Sequence, residues 1–346
     1  MRKIIHIAFL VLVFISCKKK EIGPQLIDDA QFSYSEKSVI IGCEGNFGWG
    51  NASISVYNSN KKTISNSAFK AVNGFGMGDV LQSISEINDK LYFVMNNSGK
   101  IIVTNKSTLH YEAEITGFTS PRYIQQVSAT KAYVSDLYAN KIWIFDLTTN
   151  KIVGEIVVDG WTEKMTLIGE KVYVCLLSSN KVLVINTNTD GIEQEIVVGK
   201  NPNSLVVDVN NHLWVLSSGG FNEELARLDK INPIDNSILK THTFSELSMS
   251  PSSLLIDETG EQFYFMNNGI YSMTIYDIEI PTIALVEEDN CLFYGLGLDK
   301  ETNEIYVSDA IDYVQPGKVF RYSKEGVLLD EFSVGIIPQH FQFVNQ

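Results

Sequence analysis

The chain has 346 residues, of which 45% are hydrophobic, and its 27 basic and 41 acidic side chains give a formal charge of −14. With no basic stripe to displace counterions, that balance excludes a nucleic-acid partner. Its 4 cysteines have no zinc-ligand spacing.

The N-terminus, Met1 to Ser16, has a basic start (Arg2, Lys3), an apolar run from Ile4 to Ile15 and a small residue before Cys17. It reads as a bacterial lipoprotein signal with cleavage before Cys17 and acylation of that residue, the alternative being an ordinary signal or a short anchor helix. The apolar run is short for a bilayer span, so contact with the membrane is expected through the lipid anchor alone. The mature chain then carries 25 basic against 41 acidic groups, a net charge of −16. Residues 18–37 read as a polar tether without periodicity. Cys43, Cys175 and Cys291 are expected as buried thiols.

Residues 38–346 form one domain built from a recurring unit. Strand-like runs anchored on an aromatic or aliphatic residue begin at Val39, Leu91, Ala132, Val172, Leu213, Phe263 and Ile305, at intervals of 40 to 52 residues. From Tyr92 the anchors step to Tyr133, Tyr173, Trp214, Tyr264 and Tyr306. Before each anchor lies an inner run such as SPRYIQQVS from Ser120. After it come a second alternating segment such as KIWIFD from Lys141, a polar turn such as Thr148-Thr149-Asn150, and a third run such as IVGEIVV from Ile152. Four strands of period two per unit predict an all-β chain, a seven-bladed β-propeller of four-stranded blades. No amphipathic 3.6-residue stretch is expected past the N-terminus. The first unit lacks an inner strand and the chain ends on an orphan one, Pro338 to Val344, so the C-terminal strand is expected to complete the N-terminal blade and remove the open edges.

Alternate connections fall on opposite faces. One face carries short hairpin turns such as Asn88-Asp89, Gly169-Glu170 and Asn210-Asn211. The other carries loops in which aromatics are bracketed by glycines and mixed with carboxylates and amides: GNFGWGNAS from Gly45, NGFGMGD from Asn73, TGFTSPRY from Thr116, DLYAN from Asp136, DGWTEK from Asp159, SGGFNEE from Ser218, CLFYG from Cys291 and DAIDYVQPG from Asp309. That mixture on a rigid scaffold reads as a recognition surface. About half of Phe47, Trp49, Phe75, Phe118, Tyr138, Trp161, Phe221, Tyr294 and Tyr313 are expected to be buried between blades. Asp136, Ser217, Asn267 and Asp309, with Glu44 and Asn96 near the equivalent place, are expected either to ring the channel mouth or to cap the turns that follow.

No catalytic group is expected. The chain lacks a G-x-S-x-G elbow, H-E-x-x-H, a CxxC pair or a Walker loop, and His110, His212, His242 and His340 occupy unlike positions. Glu44, Asp79, Asp136, Asp309 and Asp312 have the chemistry of a calcium site, but a solvated acidic rim is the preferred reading and no metal is expected.

The strings GNFGWGNASISVY, GFGMGDVLQS, ITGFTSPRYI, DAIDYVQPGKVFRYS and DEFSVGIIP closely resemble those of the BtuG-like seven-bladed surface lipoproteins of Bacteroidetes, within the wider YncE-like and surface-layer propeller class. The resemblance covers Val39 to the end. It implies an outer-membrane lipoprotein facing the cell exterior, with no resident cofactor, that binds cobalamin or a related corrinoid and passes it to a BtuB-like TonB-dependent transporter. On that reading Trp49, Phe118 and Tyr138 pack on the corrin edge and base, with Phe47, Phe75, Trp161 and Tyr313 completing the aromatic face. Asn46, Asp79, Asp309, Asp312 and Gln315 hydrogen-bond the corrin amides, and Arg122 meets a phosphate or amide carbonyl, an interblade ion pair being its other role. The alternatives are a glycan- or protein-binding module and a calcium-dependent, lactonase-like enzyme.

Overall fold

The computed structural model describes residues 23–26 and 37–344. The lipidation position Cys17 and most of the tether lie outside these residues.

Seven antiparallel sheets are arranged in sequence as blades, and each blade is a meander whose first strand lies on the axis. Blade 2 is typical, with Leu81–Ile87, Lys90–Met95, Lys100–Asn105 and Tyr111–Thr116 in order from axis to rim. Blade 1 has its inner strand from the other end of the chain: Pro338–Val344 pairs antiparallel with Ser38–Cys43, Val39 against Phe343 and Ile41 against Phe341. The expected closure by the C-terminal strand is therefore present.

The six aromatic anchors, Tyr92, Tyr133, Tyr173, Trp214, Tyr264 and Tyr306, are all buried. Strand alternation sends every second side chain of a middle strand toward the next blade, so a large ring there seals the gap between sheets. Two of the tyrosine hydroxyls reach polar groups across that gap: Tyr133 donates to Asp190 of blade 4, and Tyr173 donates to Asn236 Oδ1 of blade 5 at 2.9 Å. The short turns of the lower face adopt the left-handed backbone that their residues favour, with φ of 58° at Asn88, 60° at Gly169, 62° at Asn211 and 54° at both Asn150 and Asp190.

Three features differ from the sequence expectation. A short helix, Ala68–Asn73, closed by Gly74 at φ 77°, fills the connection from blade 1 to blade 2 and buries Ala68 and Phe69. Six residues are too few to display an amphipathic period. Gln25–Leu26, within the expected tether, adds a parallel fifth strand to blade 1, Gln25 opposite Thr63. In blade 6 the outer strand shrinks to Val286–Glu287. Cys43 and Cys175 are buried and Cys291 is half-buried, all three as free thiols. Among the described residues no helix is long and apolar enough to cross a membrane.

Candidate functional site

One irregularity recurs in every blade. The register of all seven inner strands against their neighbours slips by one residue after the first pair: Pro121 faces Asp136 but Ile124 faces Val134, and Pro338 faces Cys43 but His340 faces Gly42. The same slip follows Leu81, Thr162, Pro202, Ser252 and Phe293. A bulge re-aims the extra side chain. The residues after the first pair are Gln82, Arg122, Glu163, Asn203, Ser253, Tyr294 and Gln339, a polar ring at one level of the central channel. All but Gln82 line a cavity of about 370 Å³.

The ring is knitted by charge-assisted bonds. Arg122 Nε donates to Glu163 Oε1 at 2.9 Å and Nη1 donates to Gln82 Oε1. Tyr294 donates its hydroxyl to Glu44 Oε1 at 3.0 Å. With its amide turned so that nitrogen meets acceptors, Gln339 donates to the same Glu44 oxygen at 3.1 Å and to the Gln82 carbonyl at 3.2 Å. Burial pushes the Glu44 carboxyl up to about 7 against the opposing pull of the Tyr294 bond and of Arg122. Burial likewise raises the Glu163 carboxyl and lowers the Lys164 ammonium, and it lowers His340 to about 4 with help from the Lys164 charge.

Above the channel, three loops meet at the junction of blades 7, 1 and 2. Asn46 Nδ2 donates to the Tyr313 carbonyl at 2.8 Å, and the Gly48 amide donates to Asp79 Oδ2 at 2.8 Å. Tyr313 lies edge-on to Tyr294, centroids 5.5 Å apart, which links the loop surface to the channel ring. The backbone here is strained, because the β-branched residues Val80, Ile311 and Ile337 hold φ of 56°, 58° and 53°. Such strain persists only where its surroundings enforce it.

The aromatic loop residues are more exposed than expected. Seven of the nine lie open to solvent, with Phe221 at 89%, Trp49 at 79%, Phe47 at 75% and Tyr138 at 60%. Tyr138 and Trp161 form an edge-to-face pair at 5.7 Å. Phe118 corrects the expected contact set: at 8% exposure it packs edge-on against Trp143 inside the blade 2–3 core. Phe75 sits toward the rim, between Phe69 and Tyr111 of the outer strand of blade 2.

The carboxylates follow the capping alternative. Buried Asp136 accepts bonds from the amides of Thr119, Ser120, Tyr138 and Ala139 and from the Trp143 indole, at 2.9 to 3.2 Å. Buried Asp309 Oδ1 accepts from the Leu292 and Ile311 amides at 2.9 and 2.7 Å. Asp79 is also buried. Asp312 binds its own loop through the Val314 and Gln315 amides, both at 2.9 Å, and the Gln315 side chain at 3.0 Å; these bonds hold its carboxyl below the usual range. Neither an acidic rim nor a calcium cage is assembled from this set, and no group of three or more His, Cys, Asp or Glu among the described residues is placed to hold a metal. Arg122 takes the ion-pair role with Glu163 of the next blade while still lining the channel.

Sequence reasoning missed Gln82, Glu163, Lys164 and Gln339 as channel groups. A signal existed for Gln339 alone, in the inner runs PRY, PNS and PQH, where a proline is followed directly by the polar residue of the ring.

A family model described as a domain of unknown function (DUF5074) matches residues 37–334. No curated protein matches the chain. Among solved structures, a quinonprotein alcohol dehydrogenase-like protein from Bacteroides thetaiotaomicron superposes with a TM-score of 0.71 at 16% identity, over 90% of this chain and 79% of that one. A functionally unknown protein from Desulfotomaculum acetoxidans gives 0.68 at 11% identity, over 90% and 99%. A candidate 6-phosphogluconolactonase from Bacteroides uniformis gives 0.67 at 12% identity, over 89% and 99%. At these identities the likeness is one of fold.

Proposed function

We propose that this chain, which belongs to the DUF5074 family of domains of unknown function, is a non-enzymatic binding lipoprotein. It captures cobalamin or a related corrinoid on the loop face of the propeller and hands it to a TonB-dependent outer-membrane transporter. The observation that carries this reading is the concentration of seven solvent-exposed aromatic side chains on the loops of one face: Phe47, Trp49, Phe75, Tyr138, Trp161, Phe221 and Tyr313. Exposed apolar groups of this size are costly unless they meet a ligand or partner. A corrin is broad, flat and rimmed with amides. Trp49 and Phe47 supply apolar contact, while Asn46 on the same loop and Gln315 on the blade 7 loop supply amides. The rigid ring beneath keeps the entropy of ordering these groups low.

The lipid anchor is part of the same reading. Five residues lie between Cys17 and Gly23, a reach of about 20 Å when extended. With Gln25–Leu26 paired to the outer edge of blade 1, that edge is held near the membrane.

Titrating cyanocobalamin into the chain from residue 18 onward by calorimetry tests the proposal. Nanomolar or tighter binding, weakened by Trp49→Ala and Phe47→Ala, is expected. No heat and an unshifted melting temperature would refute it. In that outcome the wide spread of the aromatics, from blade 1 (Trp49) to blade 5 (Phe221), favours a glycan- or protein-docking face.

A further inference from the structure

The channel below the polar ring contains a lysine that no described side chain of the protein pairs with. Arg122 and Glu163 neutralise each other across two blades at 2.9 Å. The neighbouring residue, Lys164, also lines the cavity, yet it makes no hydrogen bond or ion pair with any described residue. His340 lies on the opposite inner strand, neutral beside this ammonium. Burial works against the Lys164 charge; the groups that act to support it are Cys175, a thiol kept neutral by its own burial, and Glu163, already paired with Arg122. A cation held in a low-dielectric space is disfavoured unless a counter-charge joins it.

The rest of the cavity describes the missing partner. The lining shared with Lys164 also includes neutral polar side chains, among them Asn203, Ser252 and Ser253. Further along the inner strands the lining includes the apolar Leu255, Leu296, Leu298 and Phe341, which also pack into the cores between blades. Glu163, which also lines the cavity, would repel a second negative charge. A single anionic head with a short hydrocarbon tail satisfies both ends, and about 370 Å³ limits it to a small molecule.

We propose that the central channel is a binding site for a small aliphatic monocarboxylate, its carboxylate on Lys164 and its tail on the leucines below, separate from the aromatic loop face. The Lys164 ammonium and the carboxylate form a charge-assisted pair within the concave channel, where the effective dielectric is below that of bulk water. The pair leaves the Arg122–Glu163 bridge as it is.

The test uses the full chain and butyrate as probe, with butyramide as its neutral isostere, followed by saturation-transfer NMR and calorimetry. Butyrate is expected to bind at least about tenfold more tightly than butyramide, a difference of about 1.4 kcal/mol. This arm needs no variant. Lys164→Met is expected to weaken butyrate by about tenfold or more and Lys164→Arg to retain it, since the charge is what the head group reads. Lys164→Met should melt at the same temperature as the parent or higher, because an unpaired charge has been removed. Its cyanocobalamin titration should match that of the parent, so failure here is distinguishable from failure of the loop-face reading. Equal affinity for butyrate and butyramide would overturn the proposal, as would unchanged butyrate binding in Lys164→Met.

Discussion

Glu44 shows how burial converts one side chain into a pH-dependent element of stability. Its carboxyl titrates near 4.5 when unfolded and at about 7 in the folded chain, where burial outweighs the Tyr294 bond. The folded state therefore binds the proton more tightly. The associated stability is full below about pH 4.5 and is lost as pH rises through about 7, a change of up to roughly 3 kcal/mol. Glu44→Gln should abolish this decline, so that denaturant melts of variant and parent diverge progressively between pH 5 and 8; a pH-independent gap would place the titration elsewhere. The Arg122–Glu163 pair predicts the opposite kind of effect. Glu163 is buried, so Arg122→Met should cost about 3 kcal/mol by leaving a carboxylate unpaired, and adding Glu163→Gln should recover most of it. Equal stabilities for the single and double variants would show that Glu163 does not need its partner. Of these groups Glu44 and Arg122 were legible in the sequence, Glu44 through its place at the end of the first anchor run and Arg122 through the loop string TGFTSPRY. Glu163 and Lys164 sit in an ordinary-looking strand start, and nothing local tells which of two neighbours faces the axis.

At the level of elements, the inner strands decide how tightly the ring closes. Phe293–Asp299 of blade 7 lies so near the C-terminal strand that a Cβ on Gly295 would come within 2.1 Å of the Gln339 carbonyl oxygen, and one on Gly297 within 2.6 Å of Phe341 Cβ. Neither backbone can yield without opening the blade 7–1 contact. Gly295→Ala should therefore destabilise the protein by about 2 kcal/mol or more, whereas Gly76→Ala, with open space at its Cβ, should change little. Matching melting temperatures for the two variants would rule out the close approach. The strand periods, turn residues and aromatic anchors of these elements were readable because each depends on residues a few positions apart. The bulge that slips every inner strand by one residue was not, since it is defined against a neighbouring strand and reverses which side chains face the channel.

The whole molecule depends on a contact between its ends. Pro338–Val344 is the inner strand of a blade whose other strands begin at Ser38, far away in sequence. Removing residues 338–346 should expose Ser38–Cys43 and the face of blade 7 together, and the product should lose its single cooperative melt and self-associate on size exclusion. A monomer with an unchanged melt would mean that closure is dispensable. The number of blades, their strand order, the sidedness of turns and loops and the velcro-like end pairing were all settled by the sequence, because alternation, turn chemistry and repeat spacing are local and recur. Only the tertiary structure decided which polar groups converge. Seven strands separated by 40 residues or more in sequence meet on one axis, and there the apparent rim acids Asp136 and Asp309 turn away to cap loops. The unremarked Glu163, Lys164 and Gln339 turn inward, because a one-residue slip against a neighbouring strand sets the direction of each side chain.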